Sequence, residues 1–114
     1  MTTLYAQGDL LIEPVKDIEP SGAMIEPMPM GVTVLAEGEA TGHRHAFFEA
    51  VTMFRDDGLA RDIPGGLYVG HVRIEGPSAR LQHDEHATIS LPKGTYRVRR
   101  QRELEPKDAR AVVD

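Results

Sequence analysis

Turn-forming residues interrupt this chain at short intervals, and they constrain its fold more than any other feature. The 114 residues include 11 glycines and 8 prolines. An Asp-Gly pair at 57–58, a Pro-Gly-Gly run at 64–66 and a Gly-Pro pair at 76–77 separate apolar runs spaced about eight to twelve residues apart. No segment shows the 3.6-residue periodicity of an amphipathic helix. The sequence therefore predicts a single all-β domain over residues 1–114, either a small barrel or a compact sandwich.

The longest predicted strand covers residues 43–54. Apolar residues occur on both of its alternating faces, which indicates a central position in the sheet. Turns are predicted at 75–78 and at 92–94, where glycine and proline occur together. Shorter strands are predicted at 8–15, 31–36, 67–74, 79–83, 87–91 and 95–104.

Two segments of the chain are predicted to lie outside the main strands. Residues 16–30 contain three prolines and should form a loop with a short extended piece at 23–25. We expect the loop's methionines, Met24, Met28 and Met30, to pack against the core as gap-filling side chains. The tail at 105–114 is predicted to add a strand, to form a short helix or to fray.

Two histidines and a glutamate are spaced so that one strand face would present all three. In an extended strand alternate side chains point the same way, so His43, His45 and Glu49 should share a face. Imidazole nitrogen and carboxylate oxygen are ligands for zinc, iron, manganese and nickel. The pattern therefore predicts part of a divalent-metal site.

A second cluster, with His83 and His86 on either side of Asp84 and Glu85, follows about forty residues later. We expect one of these two histidines to complete the site, with strand parity favouring His83. A metal-free histidine–carboxylate site and purely structural histidines are the alternatives. The fifth histidine, His71, is predicted to be a core or pocket residue.

The His43-x-His45-x-x-x-Glu49 pattern resembles the first motif of the cupins, which are small β-barrel metalloproteins. The resemblance implies a metal held by the two histidines, the glutamate and a later histidine. This sequence departs from the cupin pattern in the second motif, because its Pro-x-Gly at 92–94 follows His83 and His86 instead of preceding the last histidine. The blocks at 36–45 and 92–98 also resemble small bacterial proteins of no assigned function.

If the protein is an enzyme, the bound metal is expected to act as a Lewis acid or to activate water or dioxygen. Glu39 or Glu85 would then be the catalytic base. No cysteine nucleophile and no phosphate-binding glycine loop occurs in the sequence.

Composition and charge set the expected compartment and partners. The formal net charge of −5 makes nucleic-acid binding an unfavoured function. No apolar run approaches the length of a membrane span, the amino terminus does not resemble a signal peptide, and there is no cysteine, so we expect a cytoplasmic protein. A second hypothesis is a non-enzymatic interaction module, homo-oligomeric or part of a larger bacterial system, that binds through the basic strand 97–102 and the segment 16–30.

Overall fold

The structure is a computed structural model that describes residues 3–37, 43–101 and 111–113. Nine strands occur in this part of the chain, together with two single-turn 3-10 segments and no α-helix, which confirms the all-β prediction. The 3-10 segments are Pro29–Gly31 and Asp57–Leu59. The strands are β1 (Leu4–Gln7), β2 (Leu10–Val15), β3 (Ala23–Ile25), β4 (Thr33–Glu37), β5 (Arg44–Phe47), β6 (Thr52–Arg55), β7 (Tyr68–Gln82), β8 (Ile89–Arg100) and β9 (Ala111–Val113).

All nine strands belong to one sheet. Its main path runs β3-β6-β7-β8-β2-β1-β9, and β4 and β5 branch from β7. Neighbouring strands are antiparallel except for β1 and β9, which are parallel, so the predicted tail does add a strand. The end strands β3 and β9 are not paired with each other in the described residues, and the sheet is not closed. The barrel alternative of the fold prediction is therefore wrong.

Strands β7 and β8 form a long hairpin that runs through both predicted turns. The register of β7 shifts between Ile74 and Ser78, opposite the Pro-Lys-Gly run of β8. The predicted turns at 75–78 and 92–94 are therefore wrong. A β-bulge absorbs the extra residues and bends the hairpin without reversing the chain.

This bend explains why the segment 43–54, predicted as one strand, contains two strands, β5 and β6. Strand β5 pairs with the second half of β7, where Phe47 lies opposite Leu81. Strand β6 pairs with the first half, where Met53 lies opposite Val72. Because the chain must cross from one half of β7 to the other, it leaves the strand after Phe47. The alternation that grouped Glu49 with the two histidines ends at that point.

Both halves of the bent sheet contribute to one hydrophobic core. Leu10 and Val98 come from one half, and Phe47 and Leu81 come from the other; all four are completely buried. Other members of the core are Ile12, Leu35, Met53, Val72, Ile74, Ala79, Ile89, Leu91 and Tyr96. The core thus joins the two halves and places the start of β5 near the β7–β8 connection.

The prediction that the loop methionines pack on the core is wrong. The exposed fractions of Met24, Met28 and Met30 are 53%, 46% and 96%. The short strand at 23–25 does form, but it is an end strand of the sheet and all three of its residues are exposed. The core is filled from the longer strands, so these side chains lie on the surface.

Candidate metal centre

Four histidines from the two sequence clusters meet in the structure. The pairing of Ala46 with Gln82 brings the start of β5 beside the end of β7. The ring centroids of His45 and His83 are 4.4 Å apart, and those of His83 and His86 are 4.6 Å apart. The His43 ring lies 5.7 Å from that of His83. The two histidine clusters of the sequence therefore lie side by side in the structure.

The turn between β1 and β2 forms another wall of this cluster. Gly8 has a φ of 59°, and the register pairs Gln7 with Leu10 across a two-residue turn. Glycine at the first turn position is the pattern of a type II′ hairpin turn. An added Cβ on Gly8 would lie 2.9 Å from Nε2 of His86 and 3.2 Å from Cε1 of His45. This backbone therefore passes against both imidazoles, where a side chain does not fit.

Gln7 determines which ring nitrogen of His45 carries a proton when the ring is neutral. The amide nitrogen of Gln7 donates to the backbone carbonyls of Leu81 and Ala87, each at 2.9 Å. Because the amide nitrogen faces these two carbonyls, the atom that faces His45 is the acceptor Oε1, which lies 2.9 Å from Nδ1 of His45. Nδ1 of His45 must therefore carry the proton, and in the neutral ring the lone pair is on Nε2.

The lone pair of His45 faces a carboxylate oxygen. Nε2 of His45 lies 3.7 Å from Oδ1 of Asp9, and the His45 side chain is almost completely buried. Burial and, to a smaller extent, the neighbouring His83 lower the pKa of His45 to about 4, so the ring is neutral at neutral pH. Two acceptors then face each other, which a cation between them would stabilise. The other Asp9 oxygen accepts from Arg100 at 2.6 Å.

His83 has a different hydrogen-bonding environment. Its Nδ1 accepts from the backbone N–H groups of Glu85 at 3.0 Å and His86 at 3.3 Å. In the neutral ring the proton is therefore on Nε2. At the rim of the cluster, Nδ1 of His43 contacts Oε1 of Glu85 at 3.2 Å, and that glutamate side chain is two-thirds exposed.

Glu49 lies apart from the histidines in its contacts. Its carboxylate accepts from the backbone N–H of Arg80 at 2.9 Å and from the guanidinium of the same residue at 2.8 Å. These bonds lower the pKa of Glu49. Glu39, the other candidate base, lies outside the described residues.

The side chains do not form a finished coordination sphere. Within residues 3–37 and 43–101, no three histidine, aspartate or glutamate side chains are arranged to hold a metal ion together. The donor types and the facing pair of His45 and Asp9 fit a divalent ion, and this pair supplies two ligand atoms.

His71 lies away from this cluster and is buried, as predicted. Its ring stacks on Phe54 at 5.2 Å, and its Nδ1 is 2.7 Å from the hydroxyl of Tyr68. That hydroxyl oxygen also accepts from the backbone N–H of Asp56 at 3.1 Å. Burial lowers the pKa of His71, and Arg97 lowers it further.

Replacing His71 by glutamine should change how stability depends on pH. Because the folded-state pKa of His71 is lowered, only the unfolded chain gains this proton as the pH falls through about 6.5. The wild type should thus lose stability in that range through this residue. The difference in unfolding free energy between wild type and His71→Gln, from urea denaturation at several pH values, should be largest above about pH 7 and should shrink below pH 6.5. A constant difference would contradict the assignment.

Sequence reasoning missed Gln7 and Asp9. Gln7 precedes the β1–β2 turn and Asp9 is part of it, but their contacts are with residues far along the chain, and Gln7 is 38 positions from His45. The only local signal is the glycine at position 8, because glycine readily adopts the left-handed conformation that this tight hairpin requires. Nothing local indicates which strand that hairpin contacts.

Comparison with known proteins gives a family but no chemistry. No curated protein matches the chain, and no solved structure matches it. Among the described residues, no helix is long and apolar enough to cross a membrane. One family profile matches residues 6–101, which include the β1–β2 turn and all five histidines. The chain therefore belongs to the family described as Domain of unknown function (DUF8820).

Proposed function

We propose that this domain binds one divalent transition-metal ion in the histidine cluster. The observation that carries the proposal is the facing pair of His45 Nε2 and Asp9 Oδ1, 3.7 Å apart. Two ligand atoms that each lie about 2.1 Å from a metal are separated by about 3.0 to 3.5 Å. The pair is therefore close to the spacing of two neighbouring ligands, and both atoms are acceptors.

His86 is the favoured third ligand. Its Nε2 and the His45 ring both border the Cβ position of Gly8. His83 is less suited, because binding through its Nε2 would move a proton to Nδ1, where two backbone N–H groups already donate. His43 and His83 would then complete the shell or surround it. In this arrangement Asp9 takes the role that the cupin resemblance assigns to Glu49.

Gln7 would act as the orienting partner of the metal-bound histidine. Metal-binding histidines commonly donate their second N–H to an oxygen acceptor, which holds the ring and its tautomer. Gln7 Oε1 supplies that acceptor at 2.9 Å. The metal would supply Lewis acidity, and Glu85 at the rim would be the candidate base if a substrate binds there. We place this function in the cytoplasm.

Calorimetric titration of tag-free, chelator-treated protein with zinc chloride tests the proposal. The wild type should bind about one ion per chain, and Asp9→Asn and His86→Asn should each weaken binding about tenfold or more. His71→Gln is the matched control, because it removes a buried histidine outside the cluster, and it should bind like wild type. Circular dichroism checks that each variant is folded. A wild type that binds neither zinc, nickel, manganese nor iron(II) would overturn the proposal.

A further inference from the structure

A second surface of the domain exposes large apolar side chains close together. We call it the Met-rich edge and define it as Met24, Ile25, Met28, Met30 and Phe48. Their exposed fractions range from 36% for Ile25 to 96% for Met30. Exposed apolar groups of this size commonly mark contact sites for other proteins.

The strand register brings these residues to one region of the surface. Ile25 pairs with Met53, so the chain after Ile25 runs antiparallel to β6, toward the residues that precede that strand. Phe48 is among those residues, because it follows β5 directly. Met28 contacts the guanidinium of Arg44, also on β5, at 3.6 Å.

The backbone holds Met30 outward in an unfavourable conformation. Its φ of 71° makes it the one residue other than glycine with a positive φ in the described chain. Side chains with a Cβ rarely adopt this region. The conformation belongs to a tight turn that is closed by hydrogen bonds from Met28 N–H to Val32 and from Gly31 N–H to Met28. This turn presents the Met30 side chain almost entirely to solvent.

The Met-rich edge also includes an open sheet edge. Strand β3 is the first strand of the sheet, and β6 is its only neighbour among the described strands. Its outer backbone groups are therefore available for pairing with another strand. A short, apolar, exposed edge strand is a typical site of strand addition.

Charge identifies the occupant as a second copy of this chain. Glu26 follows β3 directly and Arg44 touches Met28, so a carboxylate and a guanidinium flank the same apolar residues. Neither forms an ion pair with a described side chain, a set that leaves out the side chain of Glu37, which lies opposite Arg44 in the β4–β5 register. In a two-fold interface each residue faces a different residue of the other copy. A surface with one group of each sign can therefore match itself.

We infer that the domain forms a two-fold symmetric dimer through the Met-rich edge. The two β3 strands lie antiparallel, the methionines and Phe48 are buried between the copies, and Glu26 faces the partner's Arg44. This inference does not depend on metal binding, because neither the Met-rich edge nor the pair of Glu26 and Arg44 includes a proposed metal ligand.

Sedimentation velocity on the full chain over a range of concentrations tests the dimer. The wild type should show a monomer–dimer equilibrium. Glu26→Arg and Arg44→Glu should each weaken the dimer about tenfold or more, because each places like charges against each other. An equimolar mixture of the two variants should restore the dimer, since opposite charges then meet. That restoration is specific for self-association.

Two further variants separate the contact from the fold. Met30→Gly should weaken the dimer while raising the melting temperature of the dilute monomer, because glycine accepts the positive φ. Leu59→Gln is the control, since Leu59 is an exposed apolar residue outside the Met-rich edge, and it should leave dimerisation unchanged. A wild type that stays monomeric up to millimolar concentration, or a charge-variant mixture that stays dissociated, would overturn the inference. A wild type that stays monomeric would indicate that the Met-rich edge binds a different protein.

Discussion

Replacing Gly8 by alanine is expected to abolish tight zinc binding while the domain stays folded. The new methyl group would lie 2.9 Å from Nε2 of His86 and 3.2 Å from Cε1 of His45. Both distances are below ordinary van der Waals contact, so the two imidazoles must move apart. A metal site tolerates little displacement of its ligands, and we expect a loss in affinity of about a hundredfold. Calorimetric titration with zinc chloride measures it.

The control for this variant must reproduce the loss of stability that alanine causes at a positive φ, without the contact with His45 and His86. Alanine at a positive φ costs about 1 kcal/mol wherever it occurs. Gly66 has a φ of 85°, and an added Cβ there would meet no atom within 4 Å. Gly66→Ala should therefore lose similar stability and keep full zinc affinity. Equal zinc affinity in Gly8→Ala and wild type would show that the ion does not bind between His45 and His86.

Replacing Phe47 by alanine should destabilise the domain by about 3 to 5 kcal/mol. The Phe47 side chain is completely buried in the core that joins the two halves of the sheet. Truncation removes its contacts and leaves a cavity. Because whole domains are stable by only about 5 to 15 kcal/mol, this loss should leave a substantial unfolded fraction at body temperature. Urea denaturation at low protein concentration gives the free energy of unfolding.

Phe48, the next residue in the chain, provides the control for the Phe47 variant. Phe48 is 53% exposed, so Phe48→Ala should change the free energy of unfolding of the monomer by about 0.5 kcal/mol or less. Comparable losses in the two variants would mean that the chain does not leave the strand after Phe47. In the dimer assay, by contrast, Phe48→Ala should weaken association, because Phe48 belongs to the Met-rich edge.

These two phenylalanines show where sequence reasoning succeeds and where it stops. Apolar residues on both faces of 43–54 correctly predict β structure, and Phe47 is in the core. The sequence does not reveal that the strand breaks at Phe48. That break exists because β7 is bulged and its two halves take different partners, β5 and β6. A bulge in one strand changes the course of a chain segment twenty or more residues away, which no local pattern records.

The candidate site, too, could be predicted from the sequence only in part. Local spacing identifies the two histidine pairs, but their approach to each other is visible only in the structure. Glu49 has the right parity in the sequence but binds Arg80 instead, because the strand ends before it.

The sequence by itself determined an all-β chain and the two histidine pairs that gather at one end of the sheet. Only the tertiary structure decided which atoms face each other there. Gln7 orients His45, Asp9 faces its lone pair, and Gly8 leaves room for both rings. The physical reason is that alternation and turn chemistry act between neighbours in the chain. The approach of a hairpin to a distant strand depends on how the whole core packs.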